Sequence, residues 1–416
     1  MPKILILSMY YAPEPMGIPP MVTQLADYLA ARDWQVSVVT CAPKMPGWAF
    51  YPGYRNRLLQ RETIGRVNVV RTWLYLPSKP RSGRMPPLLR VLHDSSFFFS
   101  SLPAALAAGR ADVILAVTPP LQAAAAAVWL GRLWRRPVVQ WLQDIVPDAA
   151  VSVGMMRDGA ALRAGRALER WVYRGVDCIG VIAEGFRANL ERKGVPPAKI
   201  ELLPNWTDPE RFDTPSGRDA MRVRLGFGAR DFVLMHTGSM SVKQVLENAL
   251  RAMQLLEDHT DIYCILAGDG IRKQALIAEA ATMRVPRVRF LDTVPDAEYA
   301  DLLRAADLLI LNQSRDLVDA LVPSKLLTYL PSERPVLAAV HPQSEAARFL
   351  LESGSGVVIE PENPRAFADA VLALQARPEQ RHAMGQAGNR FVRQHYGKAE
   401  LLPRFEQVLR ETLRTP

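Results

Sequence analysis

Asp319-Ala-Leu-Val-Pro-Ser-Lys-Leu-Leu-Thr-Tyr-Leu-Pro-Ser-Glu-Arg-Pro-Val-Leu-Ala338 is the stretch on which the reading of this chain turns. A short apolar run, Asp307 to Leu311, precedes it, and Pro335 to Val340 forms another. Each reads as a buried parallel strand. Between them Val322 to Leu330 reads as a short helix, with Pro323 in a first turn whose amides have no partner inside the helix. Those N–H groups and the positive end of the helix dipole make an anion site. Ser324 adds a hydroxyl and Lys325 a mobile positive charge. At the carboxyl end of a parallel sheet, where open α/β sheets bind ligands, this arrangement suits a diphosphate. A capped helix with a solvated lysine explains the stretch alone equally well.

Upstream, strands are expected at Phe232 to His236, Ile262 to Leu266 and Val288 to Leu291. They alternate with helices at Gln244 to Leu256, Ile271 to Met283 and Asp296 to Ala306. His236-Thr-Gly-Ser-Met-Ser-Val-Lys243 reads as strand, small-residue turn, then helix. Gly238 permits close backbone approach, Ser239 follows it, and Lys243 stands near the next helix start, where fixed positive charge could stabilise a departing diphosphate. Ala267-Gly-Asp-Gly270 is another strand-end turn, and its Gly268 is weak evidence alone. Asp292, Thr293 and Val294 follow a strand whose backbone could read a base edge. Helices Pro364 to Gln375, Pro378 to His395 and Ala399 to Leu413 close the chain.

The first half alternates in the same way, from the strand Lys3 to Ser8 to the strand Ile200 to Leu203. The loop after the first strand holds four prolines and Gly17, which lets a ligand approach the next helix, Met21 to Ala31. A plain βα connection accounts for it too. Ala42 to Pro87 is long and irregular, with one expected strand, Val67 to Arg71; loops of such length are usually functional. Arg81 and Arg84 precede Leu88 to Ala108, which reads either as an interfacial membrane element or as a core helix with a basic rim. Helix Leu121 to Trp134 and strand Pro137 to Leu142 lead to Gln143-Asp144-Ile-Val-Pro-Asp148. Asp144 sits just past a strand's carboxyl end and is the candidate on the acceptor side; capping of the next element is the alternative. Leu203 to Pro209 is the hinge candidate. Two doubly wound parallel sheets are expected, with domains over 1–205 and 206–396 and a last helix over 397–416.

Length and composition agree with two domains: 416 residues, 49% hydrophobic and 22% charged. Cys41, Cys178 and Cys264 each lie in or beside an apolar run, so core packing in a reducing compartment is expected rather than a disulfide framework. Met1 to Ser8 enters a strand directly, without a secretory n-region, and no uninterrupted span of about 20 apolar residues occurs. The net charge of +9 is uneven. Up to Asn205 there are 25 Lys and Arg against 14 Asp and Glu, and beyond it 26 against 28. A basic first half attracts anions. Without zinc-finger, recognition-helix or Arg–aromatic RNA patterns, a membrane surface or a lipid-linked diphosphate is a better expectation than nucleic acid.

Taken in order, these motifs resemble the family-4 glycosyltransferases of GT-B fold, most closely the colanic-acid-type exopolysaccharide enzymes. Tyr10-Tyr-Ala-Pro-Glu-Pro-Met-Gly17 is similar to the family's opening loop, and Tyr51-Pro-Gly-Tyr54 to a subgroup insertion. Thr118-Pro-Pro120, Gln143 to Asp148, Leu203-Pro-Asn-Trp206, Gly238 to Gln244 and Pro323-Ser-Lys-Leu326 each resemble further motifs. The resemblance implies two Rossmann-like domains facing across a cleft that closes over the donor, and a C-terminal helix returning to the first domain. It implies a metal-independent, retaining hexosyltransferase without cofactor, acting at the cytoplasmic face of the plasma membrane. The donor, a UDP- or GDP-linked sugar, would lie in the second domain, with a polyprenyl-diphosphate-linked saccharide acceptor in the first. For a transferase, Lys243 and Asp144 are the catalytic candidates; Asp144 and Gly17 would lie across the cleft from the donor-domain set, with Gly17 still counted among the donor-binding candidates.

The chain departs from the family in three places. A Glu-x7-Glu pair falls at Ala320 and Thr328, so both carboxylates are missing; Asp319 is one residue off, and Thr328 could make a weaker ribose contact. The Arg after the turn glycine is Ser239, which leaves more phosphate charge to Lys243 and Lys325. A glycine beyond Lys243 is replaced, with Val245 expected in the helix. A sugar-nucleotide epimerase and a non-catalytic sugar-nucleotide-binding scaffold are the competing readings.

Overall fold

A computed structural model describes residues 1–45, 47–77, 86–145, 159–214, 217–316 and 324–414. The chain forms two compact units, Met1–Asn205 with Leu401–Pro416, and Trp206–Glu400.

Among the described residues the first unit is built on eight strands: β1 Lys3–Leu7, β2 Gln35–Cys41, β3 Gln60–Ile64, β4 Val67–Thr72, β5 Val113–Thr118, β6 Val138–Leu142, β7 Cys178–Val181 and β8 Ile200–Leu202. Their order is β3-β4-β2-β1-β5-β6-β7-β8. All pairs are parallel except β3 with β4. That antiparallel hairpin corrects the all-parallel expectation and the single strand expected in the long Ala42–Pro87 segment. Gln-Arg-Glu-Thr-Ile is too polar to read as a strand, but an edge position leaves it half in solvent. Helices α1 Ile18–Ala31, α2 Pro87–Ala108, α3 Leu121–Trp134, α4 Ala160–Gly175 and α5 Glu184–Arg192 form the crossovers. Alanines 123 to 127 of α3 are all buried, so α3 packs closely where β5, itself wholly buried, is central.

The second unit has strands β9 Phe232–Ser239, β10 Ile262–Asp269, β11 Val288–Leu291, β12 Leu308–Asn312, β13 Val336–Ala339 and β14 Gly356–Ile359. Their order is β11-β10-β9-β12-β13-β14, all parallel. Its helices are α6 Arg218–Arg224, α7 Glu247–Leu255, α8 Lys273–Thr282, α9 Asp296–Ala305, α10 Ser324–Tyr329, α11 Glu345–Ser353, α12 Pro364–Gln375 and α13 Pro378–His395. Two apolar clusters cover the faces of the sheet. α6, α11 and β14 are additional to the elements expected from the sequence.

Helix α14, Lys398–Arg414, completes the first unit from Leu401 onward. Phe405 packs edge-on against Trp141 at 4.7 Å, and the Trp34 indole N–H donates to Glu406 at 3.1 Å. In the second unit Thr207 bridges Gly397, and Thr207 N–H donates to the Tyr396 carbonyl at 2.8 Å. The segments that leave and re-enter that unit therefore run side by side. Cys41, Cys178 and Cys264 are buried free thiols.

Candidate active site

In the second unit the strand order reverses at β9, which has β10 on one side and β12 on the other. The carboxyl ends of β9 and β12 therefore flank a topological switch point, the place where open α/β sheets hold ligands. Register deepens the crevice. β9 and β10 stay paired over eight residues to Ser239 and Asp269, whereas β9 and β12 share only Leu234↔Leu308 and Met235↔Leu309. Beyond Met235 the phenol of Tyr329, on α10, fills the gap. It accepts from Thr237 N–H at 2.8 Å and donates to the Thr237 carbonyl at 3.2 Å. Burial pushes this phenol above its usual range.

Lys325, one turn before Tyr329, is half-buried beside the end of β9. Its Nζ lies 3.1 Å from His236 Nε2. A methyl group on Gly238 would stand 3.3 Å from Lys325 Cε, so the glycine leaves room for the lysine chain. Burial lowers the Lys325 ammonium to about 7. Burial first, and the Lys325 charge second, hold His236 well below the usual imidazole range. His236 is thus neutral when Lys325 is charged, and its Nε2 lone pair accepts from the ammonium.

Lys243 is half-buried in the loop that follows β9. Met240 and Ser241 follow β9, and Val242–Gln244 form a 3₁₀ turn capped by Ser241 and Gln244. The Lys243 carbonyl accepts from Ser314 N–H at 2.9 Å, which ties the loop after β9 to the loop after β12. Two local expectations need correction. β9 runs through Gly238 and Ser239 rather than turning there, because β10 continues to pair with it. Val245 is outside the helix, at φ 38° and ψ 52°, and separates the 3₁₀ turn from α7.

Gly268 (φ 140°) has a packing role: a Cβ there would meet the Gly238 carbonyl at 1.9 Å. Asp292 is exposed past β11, two strands from β9, and accepts from Lys273 Nζ at 2.5 Å. That hydrogen bond and the lysine charge hold its carboxyl below the usual range. Thr293 is exposed beside it and Val294 half-buried. Ser324 and Thr328 are exposed on α10, where the Thr328 hydroxyl donates to the Lys325 carbonyl at 2.8 Å. Asp319, Ala320 and Pro323 lie outside the described residues, as does the start of the expected Val322 helix.

In the first unit the order reverses at β1, between β2 and β5. Gly17 (φ 81°) precedes α1 in the loop after β1. Asp144 is half-buried just after β6. Burial opposes the charge on Arg90, but Asp94, Tyr10 and Asp144 outweigh it and hold the guanidinium above its usual range. Arg90 donates to the buried Asp94 at 3.1 Å. His93 Nδ1 lies 2.6 Å from the Tyr75 carbonyl, and burial pushes this imidazole down to about 4. The Lys44 ammonium is wholly buried, 3.2 Å from Cys41 Sγ and 4.6 Å from the Tyr10 ring centre. Neither these residues nor the pairing of His236 with Lys325 is among the sequence expectations. Arg90, His93 and Asp94 were nonetheless visible as the only ionisable residues in a 22-residue apolar helix.

A Glycosyl transferase 4-like domain matches residues 16–206, and a Glycosyl transferases group 1 domain matches residues 217–391. The chain belongs to the GT-B glycosyltransferases. This glycosyltransferase is 29% identical to Escherichia coli (strain K12) WcaI, whose name assigns it to colanic acid biosynthesis, over 91% of this chain and 93% of that one. It is 26% identical to WbjE of Pseudomonas aeruginosa, named as a glycosyltransferase, over 80% and 83% of the two chains. Among solved structures, sucrose-phosphate synthase from Thermosynechococcus elongatus aligns over the full length of both chains at TM-score 0.76 and 16% identity. Anabaena HepE in complex with UDP aligns over 98% of this glycosyltransferase and all of its own chain at TM-score 0.70 and 16% identity. These structures share its fold.

Proposed function

We propose that this glycosyltransferase moves a hexosyl group from a nucleoside-diphosphate sugar to a lipid-linked saccharide in exopolysaccharide assembly. The observation that carries the reading is the convergence of the Lys243 and Lys325 segments on one switch point, at the mouth of a crevice between β9 and β12. The donor diphosphate would sit there. The nucleoside would extend across β10 towards Asp292, Thr293 and Val294, about 10 Å away at the usual strand spacing. Ser324, Thr328 and the backbone of Gly238 and Ser239 remain available for further polar contacts; Asp319 is a ribose candidate from its place in the sequence alone. HepE has been solved with UDP and with UDP-glucose, which supports a nucleotide sugar as the donor.

In the transfer the anomeric C–O bond to the diphosphate breaks and its electron pair goes to the phosphate oxygen. The acceptor hydroxyl oxygen bonds to the anomeric carbon, and its proton passes to that departing oxygen. Fixed positive charge stabilises this step without a metal ion. The acceptor would lie in the first unit on the side of Asp144, the loop of Gly17 would meet the donor from that unit, and the anomeric configuration is retained. A Corynebacterium glutamicum relative is named as a GDP-mannose-dependent mannosyltransferase of a phosphatidylinositol mannoside, in keeping with a lipid acceptor at the cytoplasmic face of an anionic membrane.

Lys243→Ala is expected to lower turnover by about 10²- to 10³-fold, as loss of one preorganised donor to a developing anion does. Circular dichroism and thermal midpoint should stay unchanged. Wild-type turnover in a folded Lys243→Ala protein would remove Lys243 from the mechanism. NMR of the purified product reads the anomeric configuration directly.

A further inference from the structure

α3 and α4 are neighbouring helices of the first unit, and α2 packs beside α3. Their outer faces carry an unusual pairing of large apolar side chains with arginine. Trp129 and Leu133 of α3 and Trp171 of α4 are exposed by 43%, 53% and 36%. Arg132 lies over the Trp171 ring, 5.0 Å from its centre. Around them Arg163, Arg166, Arg170 and Arg174 all face solvent on α4. Among the described residues none of these four meets a carboxylate. The one acid of α4, Glu169, is turned inward to Tyr173 and Lys193, at 3.0 and 2.9 Å. α2 adds an apolar stripe. Leu88, Leu92, Phe99 and Leu106 are exposed and recur at spacings that keep them on one side of the helix, over about 27 Å. No ionisable residue stands on that stripe.

We propose that this α2–α3–α4 face is the surface by which the protein docks on an anionic lipid bilayer. Tryptophans settle at the level of the headgroups, arginines beside them meet the lipid phosphates, and aliphatic side chains enter the acyl boundary. Charge complementarity favours lipid, since the basic surplus of the sequence lies wholly in its first half. The uncharged stripe on α2 disfavours nucleic acid, which would leave it wet. No described helix is long and apolar enough to cross a membrane, so the contact is lateral. The surface rests on the proposed lipid-linked acceptor only in giving that acceptor a place to be met.

The test is co-sedimentation of the full chain with vesicles of phosphatidylcholine containing about 30% phosphatidylglycerol, or of phosphatidylcholine alone. Wild type should bind the anionic vesicles, lose them at about 0.5 M salt, and shift its tryptophan emission to the blue. The triple variant Arg163→Glu/Arg166→Glu/Arg170→Glu should bind at least about tenfold more weakly, since each base near an anionic surface contributes a factor of about five. Trp129→Ala/Trp171→Ala should keep salt-sensitive binding but lose the blue shift. Equal partition of wild type and the triple variant overturns the proposal, as does equal binding to neutral vesicles. So does a dimer that only the wild type forms, or capture of single-stranded RNA in place of vesicles. Transfer to a water-soluble acceptor should be the same in all variants. A wild type that binds vesicles yet never glycosylates a lipid-linked acceptor sinks the acceptor assignment and leaves the surface. Lipid-acceptor transfer in detergent without vesicle binding does the reverse.

Discussion

Lys325 shows how one half-buried cation links binding to pH. Burial favours its neutral form, so between pH 7 and its ordinary 10.5 the unfolded chain holds a proton that the folded protein releases. The free protein therefore gains stability as the pH rises through that window. A bound diphosphate reverses the preference, and its affinity falls as the pH climbs above 7. Calorimetry should show the Kd for a nucleoside diphosphate rising roughly fivefold or more from pH 7 to 9. Lys325→Arg, always charged, should flatten the profile. A wild-type Kd that stays constant over that range removes the ammonium from the diphosphate. Val245 makes a different point. A β-branched residue in the left-handed region costs about 1–2 kcal/mol, while glycine adds about 0.5–1 kcal/mol of chain entropy to folding. Val245→Gly should therefore stabilise the second unit by about 0.5–1 kcal/mol, readable by urea denaturation.

At the scale of elements, the paired ends of β9 and β10 act as one piece. Gly268→Ala drives a methyl group into the Gly238 carbonyl. It should cost about 2 kcal/mol or more, as overpacking against rigid backbone does, and weaken nucleotide binding through the displaced Gly238. Wild-type stability in that variant would mean that the two strands can separate freely. This region also marks where the sequence is legible and where it is not. The bounds of α3, α12 and α13 are readable, because apolar periodicity is continuous and proline opens the last two. Gly238-Ser239 reads as a turn, yet hydrogen bonding to β10 keeps it extended. Val245 reads as helix, yet the capped 3₁₀ turn before it forces a left-handed residue. Lys243 and Lys325 can be placed at strand ends from alternation alone. Lys325 meeting His236 cannot, since 89 residues separate them and only the β9–β12 adjacency brings them together.

At the scale of the molecule, the last helix governs the stability of the first unit. Phe405 is almost fully buried. Phe405→Ala should destabilise that unit by about 3–5 kcal/mol, the usual cost of emptying an aromatic site. Because the chain folds as two units, denaturation followed by fluorescence should resolve a shifted early transition and a second one left in place. A single transition shifted as a whole would show instead that the units unfold together.

The non-contiguous first unit also bears on biosynthesis. The ribosome makes all of Trp206–Glu400 before it reaches the helix that completes Met1–Asn205. The portion translated first is thus the last to finish folding, and for that interval Trp34 and Trp141 lack their covering partners. A fragment cut at residue 205 would preserve this unfinished state, and an isolated amino-terminal unit would need residues 401–416 grafted back onto it.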